Sequence, residues 1–529
     1  MKLVTAQEMK EIDRLATAEY GVPGLLLMDA AAKQVADIVL QYLPENREGR
    51  AVIFCGGGNN GGDGFGAGRW LLTCGVQVRI FLAGAAPEQL SGDAAVEMQL
   101  YRQAGGSVEV LNSEDDWLVA QLAAERADVL VDALLGTGFS GELRPVAQRA
   151  CQLLNKSAAP VIAVDIPSGV QADDGTAAED AVQAAATVTM ALPKTGLLLY
   201  PGREHAGKLF VANIGMPAKL LDAYPSHKYR ITGAMVRALL PLRAANAHKG
   251  DAGRVLICAG SPGYTGAAAL CGNAAVKAGA GLVSLLTPLS SREVLAVKLT
   301  EVMVHGLLER MPGVLGGGAA NDVLQRSQNA DVLALGPGLG VSESTQQAVR
   351  DILTKAELPV VIDADALTAL QGHTELLAQM QSPKALTPHP GEMARLTGLA
   401  VENIDRDRIQ VAAKYAKEWQ TVLVLKGAPT VIGCPDGTVY VNSTGSSALA
   451  TGGSGDVLTG IIAALAAQGI TLQEAAVCGV YLHGLAGTLA CGDVGLAAGE
   501  IAAHLGEARR QALAEISVGV YNTGLIMIK

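Results

Sequence analysis

Cysteine pairs at metal-binding spacing are missing from this chain of 529 residues. Its eight cysteines, Cys55, Cys74, Cys151, Cys258, Cys271, Cys434, Cys478 and Cys491, never fall into a C-x-x-C pattern. Several lie inside apolar runs, as small core residues do, so neither a zinc cluster nor a disulfide framework is expected. A surplus of positive charge is missing too. The formal charge is −11, which excludes a general binder of nucleic acid or anionic membrane, because both need a basic face to displace counterions. No run reaches the roughly 18 uncharged apolar residues of a membrane span. Charge as a whole is sparse: 17% of residues are charged and 50% are apolar, a composition that excludes disorder and describes well-filled globular domains. The opening stretch "MKLVTAQEMKEIDRLATAEYG" carries acids at helical spacing and no apolar signal-peptide core, so a cytoplasmic enzyme is expected.

What the chain does have is alternation. After two helix-like stretches come the apolar runs "AVIFC", "VRIFLAG", "ADVLVDALLG", "PVIAVDIPSG", "TVTMALP" and "KLFVAN", separated by helix-like segments. Runs this apolar suit strands buried on both faces, which predicts a parallel sheet covered by helices. The pattern loosens at "GMPAKLLDAYPSHKYRITG", where Pro217, Pro225 and Gly233 interrupt any regular element. The length already calls for more than one core, and a boundary near residue 225 gives domains 1–225 and 226–529. The second repeats the alternation with "GRVLICAGS", "LVSLLTP", "ADVLALGPGLG", "PVVIDADAL" and "TVLVLKGAPTVIG". Both halves read as α/β, with ligand loops at the carboxyl ends of the strands.

Glycine marks those loops. "GGGNNGGDG", residues 56–64, packs six glycines between a strand and a helix, where backbone must approach something closely. It has neither the lysine of a P-loop nor clean G-x-G-x-x-G spacing. Two further strand ends of the same half, "VDALLGTGFSGEL" and "VDIPSGV", add Asp132 and Asp165. Beside Asn59, Asn60 and Ser168, these aspartates supply the hard oxygen ligands that suit a group I or II cation. In the second half, "ATGGSGDVLTG" places Gly452, Gly453 and Gly455 where successive N–H groups meet a phosphate at a helix N-terminus. Asp456 then stands where a carboxylate accepts a proton from an attacking hydroxyl. "LKGAPTVIG" offers Lys426, Gly427 and Pro429 as a nucleotide wall, and "TPHPGEMARL" fixes His389 between prolines, ahead of Glu392.

In order along the chain, "NNGGDG", "LLGTGFSG", "VDIPSG", "HKGDAGRVLICAGS", "GPGLG", "TPHPGEM", "KGAPT" and "GGSGDVL" resemble the bifunctional NAD(P)H-hydrate repair family of the YjeF type. The resemblance implies a Rossmann-like NAD(P)HX epimerase domain followed by a ribokinase-like, ADP-dependent (S)-NAD(P)HX dehydratase domain. It implies that Asn59, Asn60, Gly61, Gly62 and Asp63, with Gly136, Thr137, Gly138, Phe139, Ser140, Gly141 and Glu142, contact the damaged dinucleotide. Asp165 would lie at its reacting ring as acid/base, and Asn60, Asp132 and Ser168 would hold K⁺. For the dehydratase it assigns Ala267, Gly338, His389 and Asp456 to the hydrated dinucleotide. Lys426, Gly427, Ala428, Pro429, Thr430, Gly452, Gly453 and Gly455 would take the adenine nucleotide, with Mg²⁺ on its oxygens. Small-molecule partners, a homo-oligomer and no nucleic acid or membrane are implied as well. Two stretches depart from the family pattern: Asp29, Ala30 and Ala31, and Ser446, Ser447 and Ala448. The same anion loop and Asp456 would also serve a small-molecule kinase acting on a sugar or vitamin.

Overall fold

The computed structural model describes residues 1–45, 48–491, 494–514 and 525–528. The chain divides into two units, Met1–Ser226 together with the C-terminal segment from Val518, and His227–Ser517.

The first unit is built on β1 (Arg50–Cys55), β2 (Gln77–Leu82), β3 (Val108–Val110), β4 (Val129–Ala133), β5 (Val161–Val164), β6 (Ala186–Met190) and β7 (Lys208–Ala212). They run parallel in the order β3-β2-β1-β4-β5-β6-β7, the Rossmann order extended by one strand. Period-two burial explains why the central strands are largely apolar. Ala51, Ile53 and Cys55 of β1 join the core on one face of the sheet, whereas Val52 and Phe54 join the core on the other.

The second unit contains β8 (Lys228–Arg230), β9 (Arg254–Cys258), β10 (Leu282–Pro288), β11 (Met303–Leu307), the hairpin of β12 (Glu309–Met311) and β13 (Val314–Leu315), β14 (Val332–Leu335), β15 (Val360–Ile362), β16 (Lys384–Leu386), β17 (Val422–Leu425), β18 (Val431–Gly433) and β19 (Val439–Val441). Its main sheet has the order β11-β10-β9-β14-β15-β16-β17-β18-β19-β8, parallel from β11 to β17 and antiparallel through β18. Val255 and Ile257 face one core, Leu256 and Cys258 the other.

One expectation is corrected here. The pattern gave the whole chain after residue 225 to the second domain, but β20 (Leu525–Ile528) pairs antiparallel with β7 and completes the first sheet. Its four residues are too few to carry a readable period. The cysteines of the described residues are free, and no helix among them is long and apolar enough to cross a membrane.

Candidate functional sites

In the first unit the strand order reverses between β1 and β4, so the chain leaves these neighbours in opposite directions and opens a crevice beyond their carboxyl ends. A cavity of about 1810 Å³ lies there. Asn59, Asn60 and Asp63 reach it from the start of the helix Asn59–Thr73. The loop after β4 contributes Gly136, Thr137, Gly138, Phe139, Ser140 and Glu142, and the end of β5 contributes Asp165. Gly61, Gly62 and Gly141 do not line it. A Cβ at Gly61 would stand 1.9 Å from the Gly56 carbonyl oxygen, and one at Gly62 would stand 2.7 Å from Met28 Sδ. These two glycines serve close packing of the helix, which begins earlier than the expected loop allowed.

Asp165 takes the left-handed conformation, with φ of 63°, unusual for a residue with a side chain. The turn aims its carboxylate at three donors, all on Oδ1: Lys194 Nζ at 2.5 Å, Thr189 Oγ1 at 3.1 Å and the Met190 N–H at 3.1 Å. Lys194 is fully buried and also donates to Thr189 Oγ1 and the Met190 carbonyl. This single ammonium acts on further acids of the cavity wall. Burial pushes Asp13 up to about 6, against the pull of Lys194, and burial with the charge of Asp165 pushes Asp63 well above the usual carboxylate range.

Asp132 is inaccessible to solvent. Burial raises it to about 6, and donors from Ser168 and Leu134 limit the rise. Ser168 donates its N–H to Oδ2 at 2.7 Å and its hydroxyl to Oδ1 at 2.6 Å. Leu135 links this pair to Asn60: its N–H donates to Ser168 Oγ at 2.9 Å, and its carbonyl accepts from Asn60 Nδ2 at 3.0 Å. The three residues expected around a cation are therefore together, and their free lone pairs are all on oxygen.

In the second unit the order reverses between β9 and β14, and the loops that follow the parallel strands gather the second cluster. Gly453, in the left-handed region at φ 92°, caps the helix Ser454–Ala467, and Asp456 lies in its first turn. Burial raises the Asp456 carboxyl to about 7, the charge of Asp363 adds to the rise, and Lys426 opposes it. Lys426 Nζ donates to Asp363 Oδ1 at 2.8 Å and lies 3.6 Å from Glu392 Oε2. Burial works against its charge, but the two carboxylates outweigh that and raise its pKa. Thr459, one turn beyond Asp456, donates to Asp363 Oδ2 at 2.7 Å. A Cβ at Gly455 would stand 3.2 Å from Lys426 Nζ, so the glycine loop and the lysine meet.

Gly338 packs directly on the segment holding Ala267: a Cβ at 338 would stand 2.9 Å from the Tyr264 carbonyl oxygen and 3.2 Å from Ala267 Cβ. His389 caps the helix Pro390–Thr397 with an exposed ring, Nδ1 accepting from the N–H groups of Gly391 and Glu392. Those bonds put its proton on Nε2, and burial lowers its pKa further against the attraction of Glu392. The loop Lys426, Gly427, Ala428, Pro429 and Thr430 joins β17 to β18. Arg408, 4% exposed, lies behind it and donates to the carbonyls of Leu425, Lys426 and Pro429. His483, pushed down to about 4 by burial, bonds to the Ser454 carbonyl at 2.9 Å and so braces the first turn of the Asp456 helix.

A bifunctional NAD(P)H-hydrate repair enzyme of Moorella thermoacetica is 46% identical over 488 residues, which cover 92% of both chains. The chain belongs to the bifunctional NAD(P)H-hydrate repair family. Another member, from Escherichia coli, is 33% identical over 91% of this chain and 88% of its own. Within the chain, residues 24–196 match the family profile described as YjeF-related protein N-terminus, and residues 255–508 match the one described as NAD(P)H-hydrate dehydratase. A solved ADP/ATP-dependent NAD(P)H-hydrate dehydratase from Bacillus subtilis, co-crystallized with ATP/Mg²⁺, is 34% identical, with a TM-score of 0.46. It matches over 54% of this chain and 98% of its own.

For this member of the repair family, sequence reasoning missed Lys194, Asp13, Asp363, Arg408 and His483. Two of them had a usable signal: Lys194 in "LPKTG" and Asp363 in "IDADAL" both follow strand ends, as the aspartates that were noticed do. At the departing position Asp29, the carboxylate accepts from Arg69 and the Trp70 indole and does not line the cavity.

Proposed function

We propose that this chain restores hydrated nicotinamide dinucleotides: the first unit interconverts (R)- and (S)-NAD(P)HX, and the second dehydrates the (S) form at the expense of ADP, releasing AMP and phosphate. The observation that carries the reading is Asp456, a carboxyl held at about 7 in the first turn of a helix, beside a glycine loop and a half-buried lysine.

The substrate is a carbinolamine, with a hydroxyl on the ring carbon next to nitrogen. Hydroxide leaves poorly and phosphate leaves well. Asp456 accepts the hydroxyl proton as the oxygen attacks the terminal phosphorus of the nucleotide, whose bond to the departing AMP oxygen breaks. The N–H groups at 452–455 and Lys426 stabilise the moving phosphoryl charge. The ring-nitrogen lone pair then expels phosphate, and loss of a proton from the neighbouring ring carbon restores the dihydropyridine. Among the described residues no three acids group so as to hold a metal ion by themselves, so Mg²⁺ would enter with the nucleotide and, when bound, neutralise its oxygens.

In the first unit, inversion requires the carbinolamine carbon to become planar and to be re-formed from the other face. Asp165 is the acid/base of the reading, its Oδ1 anchored by three donors and its other oxygen left for the substrate. Asn60, Asp132 and Ser168 present the neutral and anionic oxygens that would hold K⁺, a cation suited to fixing the loop after β4.

The test mixes the full chain with racemic NADHX, ADP and Mg²⁺, omits each in turn, and follows the near-ultraviolet absorbance of NADH. Complete recovery that depends on ADP supports both activities. A stable phosphate ester in place of NADH and free phosphate would turn the reading into that of a small-molecule kinase.

A further inference from the structure

Arg408 has no part in the chemistry above, yet it is almost fully buried and its planar fork is nearly saturated. Nε donates to the Pro429 carbonyl at 3.1 Å, and Nη2 to the carbonyls of Leu425 at 3.1 Å and Lys426 at 2.6 Å. Nη1 donates to the Asp405 carboxylate. Three carbonyls from a five-residue stretch of backbone thus converge on one cation. A trans peptide is planar, so its N–H points opposite to its C=O. Holding the Lys426 carbonyl inward therefore sends the Gly427 N–H outward, and holding that of Pro429 sends the Thr430 N–H outward. Neither N–H has a protein acceptor among the described residues. The contact leaves no room for another residue at 427: φ is 139° there, and a Cβ would stand 2.5 Å from Arg408 Nη2.

We propose that Arg408 is a positioning residue for the nucleotide, a buried template that turns the peptide planes of the loop 426–430 so that its N–H groups face the ligand. The inference rests on the reading of that loop as the adenine-nucleotide site. Lysine cannot replace the template, because a point charge on a flexible stem lacks the rigid fork that spans three carbonyls.

The test measures kcat and the KM values for ADP and (S)-NADHX in the full chain for Arg408→Lys, Arg408→Met and Gly427→Ala. Displacing loop donors by a fraction of an ångström predicts a rise of about tenfold or more in the KM for ADP, while the KM for NADHX stays within about twofold. If Arg408→Met does not fold, Arg408→Lys and Gly427→Ala carry the test, since one keeps the charge and the other keeps the arginine. An unchanged KM for ADP in a folded Arg408→Lys overturns the proposal, and so does an equal rise in both KM values, which would mean a general collapse of the site. If wild-type turnover needs no ADP, the functional reading fails and takes the proposal with it. That failure is recognised in wild type alone, before any variant is made.

Discussion

Replacing Asp456 with asparagine should abolish dehydration and at the same time stabilise the second unit, by an amount that depends on pH. Its carboxyl stands at about 7, against 3.8 for an unperturbed aspartate; at about 1.4 kcal/mol per unit, the difference is worth roughly 4 kcal/mol. The sign follows from proton linkage. A raised folded-state value means that the folded chain binds the proton more tightly than the unfolded chain, so this group's contribution is best below about pH 4 and is lost as the pH rises to about 7. Asparagine stays neutral throughout. Relative to wild type, the variant should therefore gain about 4 kcal/mol at pH 8, but only about 1.5–2 kcal/mol at pH 5. In a unit of this size the gain at pH 8 corresponds to roughly 5–10 °C in melting temperature. Scanning calorimetry at the two pH values reads the stability, and ADP-dependent recovery of NADH reads the activity, which should fall by about 10²–10⁴-fold. In wild type, the rate should rise with pH through about 7 as the base ionises. An equal gain at both pH values, or a less stable variant at pH 8, would refute the picture of a carboxylate held ionised against its surroundings.

Other expectations concern single residues. Asp165→Asn should leave the dehydratase intact but stop recovery from racemic NADHX near half, because only the (S) form is consumed; complete recovery would remove Asp165 from the epimerase. Ser168→Ala deletes the hydroxyl bond to Asp132 and the acceptor of the Leu135 N–H, so the first unit should lose about 1–3 kcal/mol, seen as a lower first-unit transition in denaturant. Asp363→Asn removes the carboxylate closest to Lys426 and should reduce dehydration by at least tenfold, leaving epimerisation untouched. The same racemic assay separates the two.

The alternation of apolar runs made the parallel sheets legible, because a strand buried on both faces is apolar at most of its positions. The glycine loops and Asp456 were legible because their chemistry is written in consecutive residues. Arg408 and His483 were not. They act on partners 17 and 29 residues away in sequence, and a lone basic residue in an otherwise ordinary segment has no local pattern to betray its partner. Gly61 and Gly62 show the opposite case: a glycine tolerates close approach by a ligand or by neighbouring protein equally well, and only the positions of Gly56 and Met28 reveal the packing these two serve.

The antiparallel strand β20, taken from the far end of the chain to finish the first sheet, sets an order of events during synthesis. Roughly 300 residues separate Ser226 from Leu525, and at 5–20 residues per second the ribosome needs about 15–60 s to deliver them. Throughout that interval β7 has an open edge, the kind of surface on which strands of other chains assemble. A chain lacking residues 518–529 would therefore contain every residue of the second unit, 227–517, and still leave the first one unfinished.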